Sequence, residues 1–219
     1  MVEVEPSLYA ADFGRLNDQL EALLNAGARV FHFDVGDGHF VEPVTIGPIV
    51  MQSIFPLIEA GGGVLDVHLM VESPEHHFAA VKAAGGKSVT FHYEACDDPA
   101  AVAAQAREHG LAVGLAFNPE TEVDAAAAAA VAAGVDLILC MSIHPGYSAQ
   151  RFMPEALDRI RRARELVPEQ MYVQVDGGIT NENIRSVYDA GARLIVSGSA
   201  IFAMEDLTRA YRRLVAELA

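Results

Sequence analysis

Lysine is nearly missing from this 219-residue chain, which has Lys82 and Lys87 and no others, and 15 basic residues face 30 acidic ones for a net charge of −15. A surface so acidic, with its charge spread along the chain, is a poor partner for nucleic acid or an anionic membrane. An anionic substrate would need local help from backbone N–H groups or a bound cation. Cysteine is also scarce. Cys96 and Cys140 lie in or near apolar strand-like runs without Cys-x-x-Cys spacing, so neither a disulfide scaffold nor a cysteine-built zinc site is indicated. No apolar stretch approaches bilayer length, and the opening residues, with Glu3 and Glu5, lack the basic region and apolar run of a secretory signal. The expectation is a cytoplasmic protein with no membrane partner. No Gly-x-Gly-x-x-Gly follows the first strand-like run, which weakens an open dinucleotide-binding sheet. No Pro- or Ser-rich linker separates two domains.

What the chain does have is a repeated helix ending. Ala26-Gly27, Ala84-Gly85, Ala133-Gly134 and Ala190-Gly191 are each followed within a few residues by a β-branched run. Gly just past a helix accepts the left-handed conformation that closes it, so each copy reads as helix, cap, next strand. Apolar, β-branched character marks eight strands, near residues 3–8, 30–35, 64–70, 88–94, 111–118, 136–143, 171–176 and 193–197. Amphipathic stretches at 16–25, 100–109, 125–133, 154–166 and 181–190 lie between them. Strict alternation predicts an α/β fold, a (β/α)8 TIM barrel occupying residues 1–219 as one domain.

In such a barrel the chemistry sits at the carboxyl ends of the strands. His32 and Asp34 fall near the end of strand two, His68 near the end of strand three, and Asp176 ends strand seven. Side chains two apart on a strand share a face, so these four converge on one mouth. Two imidazoles and two carboxylates suit one divalent metal among Zn, Fe, Mn and Co. Asp66, two before His68, either orients that ring or caps the strand outside. Three Gly-containing turns, at Gly146-Tyr147-Ser148-Ala149, Gly177-Gly178 and Gly198-Ser199, follow late strands, where barrels bind phosphate through backbone N–H groups.

These strings resemble the ribulose-phosphate 3-epimerase family from end to end. The likeness rests on Pro6-Ser7-Leu8, His32-Phe33-Asp34, Asp37-Gly38-His39-Phe40-Val41, Leu65-Asp66-Val67-His68-Leu69-Met70, Pro145-Gly146, Val175-Asp176-Gly177-Gly178 and Gly198-Ser199-Ala200. It implies interconversion of D-ribulose 5-phosphate and D-xylulose 5-phosphate, with His32, Asp34, His68 and Asp176 on the metal. Asp34 and Asp176 would double as the acid/base pair. Ser7, His68, Gly146, Tyr147, Ser148, Ala149, Gly177, Gly178, Gly198 and Ser199 would hold substrate, and Met70 and Met141 would line the site. A homo-oligomer, dimer or hexamer, is also implied.

The sequence departs from the family's pattern at several positions. Gly36 stands where the family has another active-site methionine, which predicts a cavity more open on that side. Glu42-Pro43 replaces Pro-Asn, His144 replaces Asn, and Ser148-Ala149 replaces Gly-Gly. The amide donors of that loop survive if φ stays negative. These departures motivate an alternative substrate, another ketose phosphate such as D-allulose 6-phosphate. A decarboxylase or aldolase barrel commonly recruits a lysine, yet Lys82 and Lys87 both precede strand four, away from the mouth.

Overall fold

A computed structural model describes residues 2–219. Its strands are β1 Glu3–Pro6, β2 Val30–Gly36, β3 Val64–Met70, β4 Gly86–His92, β5 Ala112–Phe117, β6 Leu137–Met141, β7 Tyr172–Asp176 and β8 Leu194–Ser197. The helices are α1 Leu16–Ala26, α2 Pro48–Ala60, α3 Phe78–Ala83, α4 Pro99–Glu108 and α5 Val123–Ala133. They continue as α6 Ala156–Leu166, α7 Ile184–Asp189, α8 Ser199–Phe202 and α9 Leu207–Ala216.

All strand pairs are parallel, in the order β1-β8-β7-β6-β5-β4-β3-β2, and a parallel bridge from Ser7 to His32 joins the two ends into a barrel. The helix endings carry the alternation. Gly27, Gly85, Gly134 and Gly191 stand at φ 110°, 93°, 59° and 119°, the left-handed conformation expected of residues that close a helix and release a strand. Helix α2 begins with Pro48 in its first turn, where a missing N–H costs nothing. Strand β1 stops at Pro6, two residues before the expected limit, because Leu8–Ala10 turn over the mouth.

The main apolar core lies between strands and helices, with Phe31, Phe33, Phe91 and Phe117 among its fully buried members. A second, smaller cluster of Ala116, Leu137, Leu139, Met141 and Ile143 comes from β5, β6 and the turn after β6. Opposite it the barrel is polar. Glu5, His32, Asp66, His68, Thr90, His92 and Gln174, from β1, β2, β3, β4 and β7, are all at most 4% exposed. Hydrogen bonds tie Gln174 to Glu5 and Asp66, Asp66 to His32, and His68 to His92, while Glu5 Oε1, His32 Nε2, Thr90 Oγ1 and Gln174 Oε1 have no partner.

Candidate active site

Register brings the ligand-type residues together. His32 pairs with Asp66 and Asp34 with His68 across β2 and β3, while Asp176 ends β7 beside Met141 of β6. One donor atom from each of His32, Asp34, His68 and Asp176 lies within 4.8 Å of all the others. Asp34 Oδ1 is 3.2 Å from His32 Nε2 and 3.1 Å from His68 Nδ1. Asp176 Oδ2 lies 4.0 Å from His32 Nε2 and 3.9 Å from His68 Nδ1.

Beneath this quartet the network fixes the rings. His32 Nδ1 stands 3.2 Å from Asp66 Oδ2, so that nitrogen donates its proton and Nε2 is left as a bare lone pair. Asp66 thereby orients His32 and not His68, the ring it was expected to hold, because register sets Asp66 opposite His32. It also accepts from Ser88 Oγ at 2.5 Å and from Gln174 Nε2 at 2.9 Å. His32 Nε2 is buried, has no hydrogen-bond partner, and faces carboxylate oxygens. An acceptor nitrogen held against acceptor oxygens is a donor set that a divalent cation satisfies, so the residues present fit a metal. Ser7 Oγ donates to Asp34 Oδ2 at 2.7 Å and holds the second oxygen of that carboxylate.

The two acidic groups are driven apart. Burial opposes charge on Asp34, but the imidazoles of His32 and His68 outweigh it and hold the carboxyl well below the usual range. Asp176 is pushed up to about 7, first by burial and then by the charge of Asp34.

Above the quartet lies a cavity lined by Ser7, Asp34, Met70, Met141, Asp176 and the turns Gly146–Ala149, Gly177-Gly178 and Gly198-Ser199. Pro145 and Ile179 line it beside those turns, as do Tyr9 and Ile143, which sequence reading did not single out. No lysine or arginine borders it. The N–H groups of Gly177, Gly178 and Gly198 find no protein acceptor, which leaves them to an anion or water.

Three expectations change. Gly36 does not border the cavity, and a Cβ there would lie 2.9 Å from Val41 Cγ2 and 3.0 Å from the Pro43 carbonyl. The space a methionine would need is filled by the loop after β2, so the site is not more open on that side. Ala149 adopts φ 62°, alone among non-glycine residues described, so the amide it offers is held in a strained left-handed turn rather than at negative φ. His68, expected also at the substrate, is fully buried and does not border the cavity.

The model of the ribulose-phosphate 3 epimerase family matches residues 3–202. The chain belongs to that family. It is 37% identical over 222 residues to a ribulose-phosphate 3-epimerase of Escherichia coli strain K12, covering 99% of this chain and 96% of the relative. The ribulose-phosphate 3-epimerase of Bacillus subtilis strain 168 is 34% identical over 214 residues, 96% of each chain. Among solved structures, a 3-hexulose-6-phosphate synthase from Salmonella typhimurium superimposes with a TM-score of 0.74 at 14% identity, covering 99% of this chain and 98% of the other. At that identity the likeness shows the barrel fold alone.

Proposed function

We propose that this protein is an isomerase that inverts carbon 3 of D-ribulose 5-phosphate to give D-xylulose 5-phosphate. The observation that carries the reading is that His32, Asp34, His68 and Asp176 each bring one donor atom within 4.8 Å of the others at the mouth of an epimerase-family barrel. Inversion needs a base to take the C3 proton on one face and an acid to return one on the other. Asp34 of β2 and Asp176 of β7 would serve as that base and acid, and the reverse reaction exchanges the roles. A divalent ion held by His32, Asp34, His68 and Asp176, drawn from Zn, Fe, Mn or Co, would stabilise the negative charge that develops at the ketone oxygen.

Met70 and Met141 lie at the cavity wall, where soft apolar side chains would pack on the planar intermediate and exclude water. The free amides of Gly177, Gly178 and Gly198, with the Gly146–Ala149 turn, would take the phosphate without any basic side chain. With the Gly36 side closed by the loop, nothing in the cavity favours the longer hexulose phosphate over the pentulose. Exposed Phe13 and Ile49 line one surface groove, which supports a homo-oligomer. No helix among the described residues is long and apolar enough to cross a membrane, in keeping with a cytoplasmic enzyme.

The test is turnover of D-ribulose 5-phosphate in D2O, read by NMR. Epimerase activity incorporates deuterium at C3 as xylulose 5-phosphate appears, and Asp34→Asn or Asp176→Asn lowers it by ~10³-fold or more while the fold persists. Absence of product from the metal-loaded wild type, or an active Asp176→Asn, overturns the reading.

A further inference from the structure

His92, the last residue of β4, is fully buried and took no part in the sequence reading. Its Nε2 lies 2.8 Å from Nε2 of His68, and its Nδ1 lies 3.3 Å from Oε2 of Glu94. The two rings are 24° from coplanar with centroids 5.0 Å apart, about the N–N distance plus two ring radii, so they meet edge to edge through one shared proton. Phe40, from the loop after β2, packs on His92 at a centroid distance of 4.7 Å. That loop is tied down by Asp37, whose carboxylate accepts from the N–H groups of His39, Phe40 and Glu72. Glu94 is held in turn: its Oε1 accepts from the backbone N–H of Asn118 at 2.8 Å and from the Thr121 hydroxyl.

We infer that His92 and Glu94 are positioning residues that fix the tautomer of His68, and through it the metal affinity of the site; this rests on the reading of His68 as a metal ligand. The direction of each hydrogen bond follows from the end of the chain. A carboxylate only accepts, so His92 Nδ1 carries the proton. His92 Nε2 is then an acceptor, His68 Nε2 is the donor, and His68 Nδ1 is left as a lone pair facing Asp34 and Asp176. That nitrogen is the one that belongs to the quartet. Imidazole ligands are commonly oriented by a hydrogen bond from the other nitrogen, and here the acceptor is a second imidazole backed by a carboxylate.

Glu94→Gln discriminates this from simple packing. The backbone N–H of Asn118 can only donate, so it keeps the amide oxygen on its side and turns the amide NH2 towards His92. His92 Nδ1 must then accept, His92 Nε2 donates to His68, and His68 Nδ1 becomes protonated and cannot ligate. Glu94→Ala imposes no direction and lets water serve either tautomer. The more conservative substitution should therefore do more harm.

The experiment strips metal from the purified full-length protein with a chelator and titrates Zn2+ back in competition with a coloured chelator, for wild type, Glu94→Gln and Glu94→Ala. Histidine 15N–1H correlation spectra give the tautomers in the same samples. The expected result is 10- to 100-fold weaker Zn2+ binding for Glu94→Gln, a smaller loss for Glu94→Ala, and wild-type spectra with protons on His92 Nδ1 and His68 Nε2. Glu94→Gln binding as tightly as wild type, Glu94→Ala binding more weakly than Glu94→Gln, or a wild-type proton on His68 Nδ1 each overturns the relay. A wild type that binds no stoichiometric Zn2+ instead overturns the metal reading beneath it.

Discussion

Glu5 is a carboxyl group sealed inside the barrel. It is fully buried, one oxygen accepts from Gln174 Nε2 at 2.6 Å, and the other has no partner. Burial pushes its pKa from 4.5 to about 7; the charge of Asp66 adds to the rise, while His32 and Gln174 oppose it. Because the folded value lies above the unfolded one, the native state keeps a proton that the unfolded chain has released. Stability from this group is therefore full below pH 4.5, falls as pH rises through the window up to about 7, and stays lost above it. The drop is on the order of 3 kcal/mol at 1.36 kcal/mol per pH unit. Glu5→Gln removes it. Urea unfolding of chelator-treated protein between pH 4.5 and 8 should show the wild type losing stability relative to Glu5→Gln. Parallel curves would mean that Glu5 ionises like an exposed carboxylate.

The turns after β6 and β7 depend on backbone conformations that side chains resist. Gly178 stands at φ 65°, and a Cβ there would lie 2.3 Å from the backbone nitrogen of Phe152 in the turn after β6. Gly178→Ala should thus displace both turns, raise KM for the sugar phosphate at least tenfold, and destabilise by roughly 1–3 kcal/mol. Ala149→Gly should do the opposite, since it relieves a left-handed alanine that costs about 1 kcal/mol. Thermal melts and Michaelis kinetics on both variants check the pair, and an unaffected Gly178→Ala would show that the turns do not share the phosphate. The glycine doublets and the four helix-closing glycines were legible in the sequence, since only conformation explains them. The strain at Ala149 was not, because nothing local distinguishes a left-handed alanine from any other. His92 and Glu94 show a different limit. They stand two apart near a strand end like His32 and Asp34, but their meaning lies in partners on β3 and in the loop after β5, which register alone reveals.

At the scale of the whole molecule, alternating strands and capped helices made the barrel readable, but not the division of its interior into an apolar and a polar half. That division concentrates charge. Glu5, Asp34, Asp66 and Asp176 gather around the imidazoles of His32 and His68 in a chain whose net charge is already −15. A barrel interior of this kind is costly to close, because like carboxylates raise one another's pKa and unpaired charge resists burial. A divalent ion bound only by the folded chain offsets that cost by mass action, about 2.7 kcal/mol when the free ion exceeds its Kd a hundredfold. For a domain of this length each kcal/mol moves Tm by roughly 2–4 °C. Chelation should therefore lower Tm by about 5–10 °C, and re-addition of Zn2+ or Mn2+ should restore it. Asp176→Asn, which removes one carboxylate and one of the four proposed ligands, should melt near the chelated wild type and gain little from the ion. Calorimetric scans with metal content measured on the same samples decide the matter: if the metal is lost and Tm does not move, the cation plays no part in closing the barrel mouth.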